Sequence, residues 1–283
     1  HRTRFGDADV RCHSAYRVAS EIMNSGFSST KVMLVVVLLL AFSAQQQVRT
    51  IEQREKILAP KVFKNARGET LPYRLFIPSP YDQKKKYPLV LYLHGGGGVG
   101  NDNQKQIDGG NGYLIDLFTG DETQARNPSF VVAPQSPPPG WITDDLLTPT
   151  RYLQLVYEII GELQRTYNVD EARVYVAGQS MGGFGTFAII SEHPRTFAAG
   201  VALCGGGDQA KVVRLANTPL WVFHGAKDES VSVERSRTIV ASIKNAGGKV
   251  RYTEYADTGH VIWPMVVKEP ELLPWLFAQR RPI

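Results

Sequence analysis

The chain is predicted to fold as an α/β protein, a mostly parallel central sheet with helices on both faces. Three observations carry this. Eight short segments rich in β-favouring residues recur along it, and the later ones are near-continuous apolar runs, as strands covered on both faces require. Segments of helical periodicity separate these runs with short joins. Between one such strand and one such helix stands Gly178-Gln179-Ser180-Met181-Gly182, a turn so tight that its flanking positions must be nearly free of side chain.

Taken in order, residues 1–31 are polar and without periodicity, and residues 32–42 are an unbroken apolar run of eleven with Lys31 before it and Ser43-Ala44-Gln45 after it. A bilayer span needs roughly 20 apolar residues, so the run is expected to be the core of a secretory signal rather than an anchor. Met23 is expected to be the start, and cleavage is expected near Ser43 or Ala44. Residues 1–44 are thus set apart as a leader. Residues 45–283 are read as one catalytic domain, because no repeat, low-complexity tract or composition break divides them. The mature protein is expected to be secreted or periplasmic, without stable membrane insertion.

The predicted strands are 61–65, 70–77, 89–94, 130–133, 173–177, 198–203, 220–223 and 249–255. The first two have mixed polarity and are joined by Ala66-Arg67-Gly68, a hairpin turn. A helix is predicted over 152–167, where Leu153, Val156, Tyr157, Ile160, Leu163 and Tyr167 share a face. A second follows the serine over 181–192 and stops at His193-Pro194; a third, 231–245, ends at Ala246-Gly247-Gly248. The last, 264–279, is broken by Pro270 and Pro274.

Composition bounds the partners. The formal charge of +5 falls to +3 once the five bases and three acids of residues 1–44 are set aside, and what remains is scattered. That argues against nucleic acid. Lys84-Lys85-Lys86 reads as a solvated loop. Of the two cysteines, Cys12 precedes the apolar run, so a disulfide framework is excluded and Cys204 is expected to be a buried small hydrophobe.

A serine hydroxyl is a poor nucleophile until a histidine takes its proton, and the histidine needs an acid to fix its tautomer. In doubly wound sheets these follow in the order Ser, acid, His. After Ser180 come His193, His224 and His260. His193 closes a helix and His224 ends a strand, where packing or local hydrogen bonding accounts for it. His260, in a loop after the last strand, follows every candidate acid and is taken as the base. Asp228, just beyond the strand at 220–223, is the preferred acid, with Asp208 behind it and Asp257 disfavoured by its closeness to His260. Asp228 also stands where it can cap the helix beginning near Val231. Oxyanion donors are expected from the amide of Met181 and from Gly96 or Gly97 in His94-Gly95-Gly96-Gly97-Gly98. That glycine run lacks the Gly-Lys-Ser/Thr ending of a phosphate loop. The set calls for no cofactor and no metal.

These segments resemble the secreted esterase and "predicted peptidase" branch of the α/β-hydrolase superfamily, near its dienelactone hydrolase-like and feruloyl or acetylxylan esterase-like groups. The likeness rests on 93–98, Ala133-Pro134-Gln135, Trp141, Tyr167-Asn168-Val169-Asp170, 178–183, 204–208, 223–228 and Gly259-His260, spread over 69–263. It implies the α/β-hydrolase fold, a Ser180-Asp228-His260 triad and a serine carboxylic-ester hydrolase. Only fifteen residues separate Leu203 from Pro219, where many lipases insert a cap. An open cleft is therefore expected, taking small-molecule or polymer-linked esters of bulky alcohols or acids of feruloyl, acetyl, aryl or polyester type, with Trp141, Trp263 and Tyr113 as aromatic walls. A serine peptidase and a non-catalytic binding protein on the same fold are the alternatives.

Overall fold

The computed structural model describes residues 48–282, so the leader and its apolar run lie outside the described residues. Within them all eight predicted strands form: β1 (Ala59–Lys64), β2 (Thr70–Phe76), β3 (Tyr87–Leu93), β4 (Phe130–Pro134), β5 (Val169–Gln179), β6 (Ala199–Leu203), β7 (Leu220–Gly225) and β8 (Val250–Tyr255). They make one sheet in the order β1-β2-β4-β3-β5-β6-β7-β8. β2 is antiparallel to both neighbours, and every other pair is parallel. From β3 the chain crosses towards β4, and from β5 it crosses the other way, towards β6. The crevice that such a reversal opens lies at the carboxyl ends of β3 and β5, where the glycine loop and Ser180 are.

The α-helices among the described residues are α1 (Ile51–Ile57), α2 (Gly112–Thr119), α3 (Asp121–Arg126), α4 (Arg151–Thr166), α5 (Met181–Glu192), α6 (Val212–Leu215), α7 (Glu234–Asn245), α8 (Trp263–Val266) and α9 (Leu272–Ala278). The period of two along the strands divides the core between the faces of the sheet. Leu89, Leu91 and Leu93 of β3, with Val174 and Val176 of β5, pack on the face covered by α4, α5 and α7. Val90 and Tyr92, with Tyr175 and Ala177, point to the face covered by α2, α8 and α9. On α4 the spacing puts Leu153, Val156, Ile160 and Leu163 inward, each worth about 2 kcal/mol of burial. Thr150 caps α4 through the Tyr152 amide and ties it to the preceding loop by donating to the Gly140 carbonyl at 2.6 Å.

The α5 bounds are those predicted, and the proline-broken C-terminal helix resolves into α8 and α9. Four helices escape the sequence reading: α1, α2, α3 and the four-residue α6. α1 has a single buried residue, Arg54, and so no apolar stripe; a Thr50–Gln53 capping box and a buried ion pair from Arg54 to Asp116 of α2 at 2.8 Å hold it. α2 and α3 follow Gly109-Gly110, where composition suggests only loop. α7 starts three residues later than predicted, because the amides of Ser230 and Val231 are taken by Asp228 in a turn. Between β6 and β7 lie only a 3-10 turn and the four-residue α6, so among the described residues there is no cap over the sheet. No helix among them is long and apolar enough to cross a membrane.

Candidate active site

Ser180 stands between β5 and α5 with φ 55° and ψ −119°, a conformation that side-chain-bearing residues rarely adopt and that costs of order 1–3 kcal/mol. The surroundings enforce it. A Cβ on Gly178 would run into the Gly182 carbonyl, and one on Gly182 would run into the carbonyl of Leu93. The Ser180 amide donates to the Leu203 carbonyl of β6 at 2.7 Å, while its own carbonyl accepts from Gly183 and Phe184 as α5 begins. Met181 is the first residue of α5, so its N–H is one of the terminal donors without an intrahelical acceptor.

Eighty positions further on, His260 brings Nε2 to 2.9 Å from Ser180 Oγ, and its Nδ1 lies 2.7 Å from Asp228 Oδ2. With Nδ1–H given to the carboxylate, Nε2 is left with a lone pair for the hydroxyl proton. The loop that carries His260 is held on both sides. Gly225, at the end of β7, packs on the carbonyls of Thr258 and Gly259 so closely that a Cβ there would collide. Cys204 Sγ donates to the His260 carbonyl at 3.3 Å, and burial pushes that thiol up. The imidazole is 19% exposed, whereas the Asp228 side chain is fully covered. Burial pushes the Asp228 carboxyl up, but the Val231 amide, His260 and the Ser230 amide outweigh it and leave the group below the ordinary carboxylate range. Asp228 does not cap α7, whose N-cap is Val233; its Oδ1 accepts from the amides of Ser230 and Val231 in the turn before that helix, and its Oδ2 faces His260.

The loop after β3 lies against the elbow, since Gly182 touches the carbonyls of Leu93 and His94. In it the Gly95 amide is taken by Asn111 Oδ1 at 2.9 Å and the Gly98 amide by the Gly95 carbonyl. The amides of Gly96 and Gly97 have no protein acceptor among the described residues, and both glycines are exposed. His94 braces the loop from beneath. Its Nε2 accepts from the Ser136 amide at 3.1 Å, so Nδ1 carries the proton and donates to Gly95 O at 2.7 Å. The Ser136 contact needs a bare Nε2, and burial, which outweighs the Gly95 carbonyl, pushes His94 down to about 4 and keeps the ring neutral.

The substrate-wall assignment of Trp141 is corrected by the structure: its side chain is 0% exposed. The indole stacks at a tilt on His94 and donates Nε1–H to the His94 carbonyl at 3.0 Å, so it supports the glycine loop from inside. Trp263, only 9% exposed, stands edge-on to His260 at 5.7 Å and packs on its back rather than lining a cleft. Tyr113 is half-buried on α2. Asp208 caps a 3-10 turn through the Ala210 amide, and Asp257, 89% exposed, pairs with Lys227. His193 stacks flat on Tyr157 at 3.6 Å, away from the serine. Cys204, His224 and Asp228 bring ligand-type atoms within 4.8 Å of one another, but all three are engaged in hydrogen bonds of this site.

Sequence reasoning missed Asn111 and Ser136 and gave Gln135 no role. Gln135, in the Ala-Pro-Gln segment, donates to Gly98 O at 3.1 Å and fastens the far end of the glycine loop. Asn111 sits in a glycine-rich stretch with no pattern to mark it. A groove of about 640 Å3, lined in part by Phe63, Tyr157, Glu171 and Arg281, lies at the other end of the sheet. Glu171 on β5 is nine positions before Ser180, which follows the strand's end, about 30 Å along the strand, so that groove is separate from the serine.

The prolyl oligopeptidase family matches residues 156–212, the stretch that contains the elbow. A crystal structure described as a thermostable esterase is 40% identical, with a TM-score of 0.75 over 80% of this chain and 64% of its own. A bifunctional acetylxylan esterase/xylanase of Neocallimastix patriciarum is 27% identical over 185 residues, 65% of this chain and 25% of that protein. The "Probable feruloyl esterase C" of Aspergillus flavus is 28% identical over 134 residues, 47% of this chain and 46% of that protein. The chain spans less than two thirds of each of them. The sheet order, the strained serine at the β5–α5 turn and these likenesses together identify the chain as a member of the α/β-hydrolase superfamily, among its esterase- and peptidase-like proteins.

Proposed function

We propose that this chain is a serine carboxylic-ester hydrolase that works through an acyl-enzyme. The observation that carries the reading is the relay from Ser180 Oγ to His260 Nε2 at 2.9 Å and from His260 Nδ1 to Asp228 Oδ2 at 2.7 Å. Ser180 attacks the ester carbonyl while His260 takes its proton. The amides of Met181 and of Gly96 or Gly97 receive the developing oxyanion. Collapse expels the alcohol, protonated by His260, and water repeats the cycle on the acyl-serine. Asp228, ionised, stabilises the imidazolium. Because protonated His260 has no lone pair for the hydroxyl proton, rates fall on the acid side.

The exposed glycine loop and the short β6–β7 connection support an open site for esters whose acid or alcohol is bulky, of feruloyl, acetyl, aryl or polyester type. The names of the acetylxylan and feruloyl esterase relatives point the same way. Secretion is part of the reading and rests on the apolar run at 32–42. N-terminal sequencing of exported material is expected to begin near residue 44.

Turnover of p-nitrophenyl acetate and butyrate by the wild type, lost in Ser180→Ala, is the expected result. Equal turnover by both proteins would falsify the serine mechanism. The prolyl oligopeptidase match over 156–212 favours a peptidase as the second reading. Peptide amides assayed beside acetyl-sugar and feruloyl esters separate the two, and esters are expected to be the better substrates.

A further inference from the structure

We infer that His224 is a positioning residue, a second imidazole on the triad carboxylate that keeps its proton on Nε2 and donates it to Asp228 Oδ2. The inference rests on the proposed role of Asp228 in the triad. His224 ends β7, four residues before that aspartate, and its side chain is fully buried. Nε2 lies 3.1 Å from Asp228 Oδ2 and 3.0 Å from the Val231 carbonyl; Nδ1 lies 2.7 Å from Ser236 Oγ, which is itself 2.7 Å from the Gly205 carbonyl.

Counting protons decides the tautomer. A neutral ring and the Ser236 hydroxyl bring two protons to four contacts, two of them at Nε2. With the proton on Nδ1, the Ser236 and Gly205 contacts close, but a bare Nε2 lone pair faces a carboxylate and a carbonyl. With the proton on Nε2, the Asp228 contact closes and the Ser236 hydroxyl serves either Nδ1 or Gly205. A hydrogen bond to an ionised acceptor is about twice as strong as one between neutral groups, so Nε2–H wins. Burial holds the ring below the ordinary imidazole range, which leaves it singly protonated near neutral pH.

Two imidazoles then share one oxygen, His260 at 2.7 Å and His224 at 3.1 Å, while two amides hold the other. The carboxylate is fixed by four donors and cannot turn away from His260. Its charge is also divided, so it stabilises protonated His260 less than an undivided carboxylate would. The titratable groups around His224 are Asp228 and His260 on the loops, Cys204 at the end of β6, and Glu254, its partner in register on β8. Glu254 is bound to Arg237 of α7 and stays ionised throughout.

Nitrogen-15 NMR of histidine-labelled wild-type protein near pH 7.5 reads the tautomer directly, with the His224 signals identified by their loss in His224→Gln. Protonated Nε2 and bare Nδ1 are expected; bare Nε2 overturns the inference. Turnover plays no part in this measurement. An inactive protein with protonated Nε2 therefore counts against ester hydrolysis and not against the tautomer. In pH profiles of kcat/KM, His224→Phe is expected to lower the plateau about tenfold and move the acid limb up by about half a pH unit or more. His224→Gln, whose amide nitrogen reaches the place of Nε2, is expected to return the limb to within about 0.2 unit. His224→Asn, which reaches only as far as Nδ1, is not expected to restore it. Loss of rate in all three variants with an unmoved acid limb would mean that the ring merely packs.

Discussion

Two loops with the same opening do opposite work. β3 runs into His94-Gly95 and β7 into His224-Gly225, and in both cases the histidine is fully buried at a carboxyl end of the sheet. Under β3 the hydrogen bonds close around a neutral ring: the Ser136 amide gives a proton to Nε2, and Nδ1 gives one to Gly95 O. The loop so held presents the amides of Gly96 and Gly97 and carries no charge. Under β7 the ring meets an ionised Asp228, and the loop delivers a carboxylate to His260. Burial excludes charge at the first loop. At the second it is tolerated because two backbone amides and two imidazoles surround the carboxylate. One loop leaves two amides free among the described residues, and the other sets a carboxylate against His260; in the proposed mechanism these serve as oxyanion donors and as the charge beside the imidazolium.

The sharpest way to break this division is at the charged loop. Asp228→Asn keeps the shape but frees the tautomer of His260, and kcat is expected to fall by about 10^4. A drop of less than tenfold would relocate the acid. At the neutral loop the first effect is on stability. His94 is pushed down to about 4 in the folded protein, so as pH falls the unfolded chain binds the proton first. This contribution is complete above about pH 6.5 and is lost as the pH falls from there to about 4, a loss of about 3 kcal/mol. Urea unfolding at stepwise pH is expected to show that slope in the wild type, and a flatter one in His94→Asn.

Smaller still is Trp141→Phe, which leaves the buried His94 carbonyl without its donor and should cost about 1–2 kcal/mol. If the indole supports the oxyanion loop, kcat falls and KM moves little; a change confined to KM would return Trp141 to the substrate. The smallest effect is expected at Asp208. Asp208→Ala removes only the cap of a 3-10 turn, and kcat/KM should stay within about twofold.

Much of this was legible in sequence because strands and the serine turn are local. Val174-Tyr175-Val176-Ala177 is apolar on both faces, and the spacing of Gly178, Ser180 and Gly182 admits few other turns. His260 and Asp228 were reachable by chain order and elimination among three histidines. Trp141 was misread because its neighbours Pro139, Gly140 and Thr143 look like an exposed loop, and nothing local reveals that its N–H is needed at the His94 carbonyl, 47 positions earlier. α1 was invisible because what it buries is a charge, Arg54, whose partner Asp116 lies 62 positions away.

The residues alone determined the alternation of strands and helices and the strained serine turn, and they narrowed its partners to His260 with Asp228 preferred, since these follow from side-chain size, polarity and order along the chain. Which amides are left to meet an oxyanion, and which histidine shares the carboxylate with His260, depended on contacts between segments far apart in sequence. A hydrogen bond is set by distance and direction in space, and neither is written into a periodicity.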